Sequence, residues 1–268
     1  MDVTHECAVG AVALKKPLSH YPLGGAAYYA YKIGLYQQGR GREGAGIAIC
    51  NLDNIKDVIR IHKDLGLVKE VFKPGTPFFD ERMQYLSADK AIVHVRYATA
   101  GNRMDKESEL QPFHYDSPIP YEEFVFGMNS NMTNADAHRD IFERTYHYRL
   151  KTHVDTEIMM HLLAIKKQEL TQLHVYASFP DVLRRFAKCV DGDYSITYLD
   201  GEGRLHAFSD PLGMRPLHYA ENDDLFAVAS ESSALMRTSL FSPDQVKPVR
   251  PGHVISYVDG KMSDDHFA

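Results

Sequence analysis

Apolar positions along the chain fall into two kinds of pattern. Short unbroken runs, "AVGAVAL" at 8–14 and "AGIAICN" at 45–51, read as buried strands. "KAIVHVRYA" at 90–98 is a strand by its β-branched content, and "FVFGMN" at 124–129 is another. Helical spacing appears in "PLGGAAYYAYKIGLYQQG", which puts Tyr29, Ile33 and Tyr36 on one face with Gly39 placed to stop the helix. The strongest helix is "VDTEIMMHLLAIKK", where Ile158, Leu162 and Ile165 share a stripe with Met159 and Leu163 beside it. "PDVLRRFAKC" follows with Val182, Leu183, Phe186 and Cys189. Strand-like pieces then run to the end: "YSITYLD", "GRLHAFSD", "LHYA", "LFAVASE" and "GHVISYVDGK". Strands cluster at both ends of the chain without regular strand–helix alternation. That disfavours a doubly wound parallel sheet and predicts an α+β fold.

Composition narrows the setting. At 268 residues, 44% of them apolar, the chain can bury a sizeable core. A net charge of −6 without a lysine/arginine run argues against nucleic acid or an anionic membrane as partner. No stretch approaches the roughly 20 apolar residues of a membrane span, and "MDVTHE" lacks the features of a secretory signal. Cys7, Cys50 and Cys189 are odd in number and widely spaced, which disfavours a disulfide framework and fits a reducing, cytoplasmic location. Despite 14 histidines, no H-E-x-x-H, C-x-x-C or close His/Cys cluster occurs, so no metal is expected.

"GRGREG" at 39–44 matches the dinucleotide pattern G-x-G-x-x-G. The pattern binds pyrophosphate only where the glycines leave a strand and open a helix. Here they leave a predicted helix and enter a predicted strand, so a tight turn with closely approaching backbones is the better reading. Cys50 and Cys189, on an apolar strand and a helix stripe, read as core residues. Cys7 stands apart, between the polar leader and the first buried strand. A thiol of pKa about 8.5 is mostly protonated at neutral pH, so as a nucleophile it needs a base.

Several segments, taken in order, resemble one family: "HEC", "QQGRGREGAGI", "HVRYATAG", "QPF", "NSNMTN", "VDTEI", "SDPLGMRPL" and "VASESSAL". Together they are similar to the glutaminase domain of the class II glutamine amidotransferases, from Cys7 to about Gly252. Within these, "HVRYATAG" and Arg215 of "DPLGMRP" favour the amidophosphoribosyltransferase branch of purine synthesis. The resemblance implies a four-layer α-β-β-α sandwich of the N-terminal nucleophile hydrolase type, with two antiparallel sheets. It implies a leader at 1–6, an amidotransferase domain at 7–268 and the absence of a phosphoribosyltransferase domain, since nothing resembles that domain's diphosphate-binding loop.

For the site, the resemblance implies that Cys7 attacks the side-chain amide of L-glutamine. Its base is its own α-amine, exposed when the leader is removed; an amine with pKa near 7.7–8.0 suits proton shuttling at neutral pH. Asn129 and the backbone N–H of Ser130 match the oxyanion hole. Arg96 matches the binder of the substrate carboxylate, with Thr99 adding a hydroxyl. Strand alternation places His94 and Arg96 on one face and Val93 and Val95 on the other, so Arg96 can face a cleft. Asp155 matches the partner of the substrate ammonium. It also reads as an ordinary helix cap, unless Thr152 takes that role. Arg40 receives a supporting role. The glutaminase step needs no cofactor. The expected partners are glutamine and a phosphoribosyltransferase or other ammonia-accepting domain or subunit, with self-association into a homo-oligomer left open.

The sequence departs from the family pattern at Ala8, where glycine often follows the nucleophile, at a displaced Gly10, at Gly39 in place of histidine, and at Ser130 in place of glycine. If position 130 requires φ > 0, serine there is strained. Two alternatives follow: a glutamine-binding paralogue with impaired catalysis, and an ammonia-supplying subunit for another acceptor, such as glutamate synthase.

Overall fold

The computed structural model describes residues 6–53, 57–97, 107–117, 122–172 and 178–268. Among them, β1 (Ala8–Leu14) leads to α1 (Ala26–Tyr36), β2 (Gly44–Cys50), β3 (Ile59–Leu65), α2 (Val68–Phe72), α3 (Pro77–Tyr85) and β4 (Lys90–Arg96). Next come β5 (Phe113–Tyr115), β6 (Phe124–Met132), α4 (Ala135–Arg144), α5 (Asp155–Gln172) and α6 (Phe179–Ala187). The chain finishes with β7 (Gly192–Asp200), β8 (Leu205–Ser209), β9 (His218–Glu221), β10 (Leu225–Ala229), α7 (Ser232–Arg237), β11 (Lys247–Pro248), β12 (His253–Val258) and β13 (Lys261–His266).

The strands form two sheets, a seven-stranded one in the order β11-β9-β10-β1-β4-β2-β3 and a six-stranded one in the order β13-β12-β8-β7-β6-β5. Neighbouring strands run antiparallel, as in the pairs β1–β4, β2–β4 and β6–β7. Three buried clusters separate the layers. Ala8, Val12 and Leu14 of β1 pack with α1, α2 and α7 on the outer face of the first sheet. Val9, Ala11 and Ala13 of the same strand face Val125, Leu199 and Ala207 of the second sheet. Helices α5 and α6 cover the other face of the second sheet through Ile158, Leu162, Leu183 and Phe186. Both faces of β1 are covered, which is why its sequence is an unbroken apolar run. The result is the expected α-β-β-α sandwich. No helix among the described residues is long and apolar enough to cross a membrane.

Gly10 sets the fit between α1 and the first sheet. A Cβ there would lie 2.7 Å from Ile33 Cγ2 and 2.9 Å from Val93 Cγ1. The buried face of α1 is therefore the small-residue stripe Ala26, Ala27, Ala30, Ile33 and Gly34, with Tyr31. This corrects the predicted face: Ile33 is buried, but Tyr29 and Tyr36 lie at its half-buried margin. The helix ends at Tyr36 with Gln37 as its cap, before Gly39. Cys50 is buried as expected, and Cys189 packs half-buried against the α5–α6 core.

The glycine-rich turn follows α1 and precedes β2, confirming that its order is wrong for a dinucleotide site. Gly41 is pressed against the end of β4: a Cβ there would lie 2.5 Å from both the carbonyl carbon and oxygen of Arg96. Gly41→Ala should force one backbone to move and lower stability by about 1–3 kcal/mol, read from urea unfolding. At Gly39 a Cβ would meet nothing within 4 Å.

Candidate active site

Strand register brings the separate motifs together. Ala8 pairs with Val95, so Cys7 and Arg96 emerge at the same end of β1 and β4. The Tyr97 N–H points at Cys7 Sγ at 3.4 Å, and the thiol lies 3.6 Å from the Tyr97 carbonyl. Val9 is fixed by Ser230, whose hydroxyl accepts its N–H at 3.0 Å, and by Gln37, which donates to its carbonyl at 3.2 Å. The nucleophile candidate thus hangs from a strand end held on both sides.

The second sheet delivers Asn129. His94 on β4 meets the Met128 carbonyl on β6 through Nε2 at 3.1 Å, which ties the two sheets next to Asn129. Burial holds His94 down to about 3, so the ring is neutral and its proton sits on Nε2 to make that bond. His94 faces the second sheet while Val93 and Val95 face α1, as strand alternation predicts. Asn129 is 3% exposed, and its Nδ2 has no hydrogen-bond partner among the described residues. A buried amide donor without an acceptor is costly in a protein interior.

Ser130 is not among the non-glycine residues with positive φ, so the anticipated strain is absent. Its hydroxyl instead donates to Asp155 at 3.1 Å, and the Met132 N–H donates to the same oxygen at 3.1 Å. Burial raises the Asp155 pKa, against the hydrogen bonds from Ser130, Met132 and the first N–H groups of α5. Asp155 therefore does receive helix N-terminal donors, while also facing the site. Thr152 is not the competing cap: its N–H and hydroxyl both donate to Glu157 Oε2, at 2.6 and 2.7 Å.

Charges surround the sulfur. Burial pushes the Cys7 thiol pKa up, opposed by the Tyr97 N–H and by Arg96 and Arg215, while Asp155 adds to the rise. Arg40 donates to the Cys7 carbonyl at 3.1 Å and reaches Glu6 at 2.8 Å and Glu231 at 3.5 Å. Arg215 pairs with Glu6 and Asp193. Its loop is shaped by Asp210, which accepts the N–H groups of Leu212 at 2.9 Å and Met214 at 3.0 Å. Burial would raise the Glu6 carboxyl, but the Arg215 and Arg40 guanidiniums outweigh that and hold it below its ordinary range.

Arg96 pairs with Glu109, which the motif reading did not single out. Glu6, Asp193 and Gln111 were likewise missed as neighbours of the site. Glu6 and Gln111 carried a signal, as members of "HEC" and "QPF". Thr99 lies outside the described residues. The structure therefore brings Cys7, Arg96, Asp155, Arg40 and Arg215 together, with Asn129 and Ser130 on the strand that borders them.

The chain matches the family described as "Glutamine amidotransferase domain" over residues 94–237. It is 32% identical over 236 residues to an amidophosphoribosyltransferase of Pseudomonas aeruginosa, covering 84% of this chain and 42% of that protein. It is 30% identical over 235 residues to one from Methanothermobacter thermautotrophicus, covering 87% and 44%. The glutamine phosphoribosylpyrophosphate amidotransferase of B. subtilis, solved with ADP and GMP, shares the fold at a TM-score of 0.75 and 24% identity, over 98% of this chain and 49% of that one. The chain thus spans less than half the length of these curated relatives. With a matched region covering more than half of its residues, the chain belongs to the class II glutamine amidotransferase domain family and is similar to the glutaminase half of amidophosphoribosyltransferases.

Proposed function

We propose that the chain hydrolyses L-glutamine to glutamate and ammonia, with Cys7 as nucleophile after residues 1–6 are removed. The observation that carries this reading is the joint placement of a strand-end thiol, a guanidinium and a carboxylate. Cys7 attacks the side-chain amide carbon and its α-amine takes the thiol proton. Ammonia then leaves, and water hydrolyses the γ-glutamyl thioester. Each tetrahedral oxyanion is held by Asn129 Nδ2 and the Ser130 N–H. Arg96 takes the substrate carboxylate and Asp155 the ammonium, so binding exchanges Glu109 for another carboxylate at Arg96. Arg40 steadies the nucleophile through the Cys7 carbonyl. Because burial raises the thiol pKa, the uncut chain is short of both thiolate and base.

The ammonia acceptor is proposed to be a phosphoribosyl-transfer domain or subunit, by analogy with the longer relatives. Ser130 carries no backbone strain and so lends no weight to an impaired paralogue. The test joins intact mass and N-terminal residue to an assay of glutamate release. A chain that begins at Cys7, binds glutamine and releases no glutamate would overturn the reading.

The raised Asp155 pKa fixes a pH expectation. Glutamine's ammonium requires the charged carboxylate, so kcat/KM falls as pH drops through the elevated Asp155 value. The acid limb should therefore lie above the ordinary aspartate value of about 3.9. Asp155→Asn should remove that limb and raise KM by about 10- to 100-fold, the loss of one charge-assisted interaction.

A further inference from the structure

The "QPF" segment has no part in the chemistry above, yet Gln111 bonds to two of the elements that supply it, β6 and α5. Gln111 is buried at 7% exposure. Its side-chain Oε1 accepts the Met128 N–H at 2.7 Å, one residue before Asn129. Its Nε2 donates to Thr156 Oγ1 at 3.1 Å, one residue after Asp155. Two residues upstream, Glu109 pairs with Arg96. One short segment therefore reaches the strand of the oxyanion candidate, the helix of the ammonium candidate and the carboxylate-binding guanidinium.

Register explains why a side chain makes the contact to β6. Strand β5 pairs with β6 from Tyr115↔Phe124 to Phe113↔Phe126 and stops. Continued by two residues, the same register would set position 111 opposite Met128. Pro112 stands at the break and has no N–H to extend the ladder. The Gln111 amide replaces the missing main-chain acceptor at Met128, so the edge of β6 is satisfied there although β5 does not extend beside Asn129. The segment itself is held down. Lys63 donates to the Leu110 carbonyl at 2.7 Å and the Pro112 carbonyl at 3.0 Å, one on each side of Gln111. Gly46 lies directly beneath, where a Cβ would fall 2.3 Å from the Gln111 carbonyl oxygen.

Resting on the proposed glutaminase reading, we infer that Gln111 is a positioning residue that fixes Asn129 and Asp155 relative to one another through its two amide hydrogen bonds. It touches neither the reacting atoms nor the substrate. Its work is to hold two binding groups from different elements at one spacing, and a displacement of about 1 Å at such a site lowers rate by as much as 100-fold.

The test compares Gln111→Met, which keeps size and loses both bonds, with Thr156→Val, which removes only the partner on α5. In chains beginning at Cys7, Gln111→Met should lower glutamine kcat/KM by about 10- to 100-fold, through kcat and KM together. Thr156→Val should lower it by about 3- to 10-fold, mainly through KM. Inactivation of Cys7 by a diazoketone analogue of glutamine should slow in parallel, while alkylation by iodoacetamide should keep its parental rate. A purely structural role would slow both reagents alike or neither. Parental kcat/KM in both variants, or equal losses with both reagents, would overturn the inference while leaving the glutaminase reading intact. Should Gln111→Met not fold, Thr156→Val decides alone: an unchanged KM sinks the proposal. A parent chain without glutaminase activity would defeat both readings.

Discussion

Cys7→Ala, in a chain that begins at that residue, will lower glutamate release from glutamine by about 10⁴- to 10⁶-fold, as loss of a covalent nucleophile does elsewhere. Glutamine affinity will change little, because Arg96 and Asp155 remain and alanine removes only the sulfur. Calorimetric titration of the variant checks that half of the expectation. A second comparison isolates the base. An unaltered chain that retains residues 1–6 will be slower than its trimmed counterpart by about 10²- to 10⁴-fold, the usual contribution of a general base. The reason is local: the Glu6–Cys7 amide nitrogen is not basic, and burial already holds the thiol in its protonated form. Comparable turnover with and without the leader would remove the α-amine from the mechanism and leave the thiol to another base.

Asn129→Ala will lower kcat by about 10²- to 10³-fold with little change in KM, since an oxyanion donor acts on charge that develops only after attack. The same substitution should leave the unfolding free energy within about 1 kcal/mol of the parent, because the Asn129 Nδ2 makes no hydrogen bond among the described residues. Activity and stability thus separate at this position. Glutamate release and urea unfolding on the same preparation test it. A large loss of stability would mark Asn129 as a structural amide, and a loss confined to KM would move it to substrate binding.

The parts of the fold legible in the sequence are those whose burial is symmetrical. Strands β1, β2 and β4 lie between two covered faces, and their apolar runs give nearly correct boundaries. Helix α5 was equally clear, because Ile158, Met159, Leu162 and Leu163 all reach the core. Elements at the margins were missed for the opposite reason. Strand β13, "KMSDDH", is a polar edge strand paired on one side by β12. Helices α3 and α4 each bury one side chain fully, Met83 and Phe142, so neither has a stripe to detect. The tyrosines of α1 misled because aromatic bulk suggested a core face. The close approach at Gly10 reserves that face for alanine, Ile33 and Gly34.

The candidate site divides in the same way. Cys7, Arg96, Asn129, Ser130 and Asp155 stood out through motifs whose order matches a family. Glu109 did not, and Gln111 entered only as the first residue of "QPF" with no role, because their significance lies in partners far along the chain: Arg96 for one, Met128 and Thr156 for the other. Single-sequence spacing contains no trace of those pairings. What it does contain is Pro112, a residue that ends a strand ladder and leaves an edge for some side chain to complete.

The grip of Arg40 and Arg215 on Glu6 has an electrostatic consequence. Cutting the chain after Glu6 would carry away an anion and leave an ammonium-forming amine in nearly the same place. Both guanidiniums would lose a counter-ion at that moment, and the field at the sulfur would swing toward positive potential. Such a field favours the thiolate. The single cut would therefore supply a proton acceptor and, independently, make the proton easier to remove.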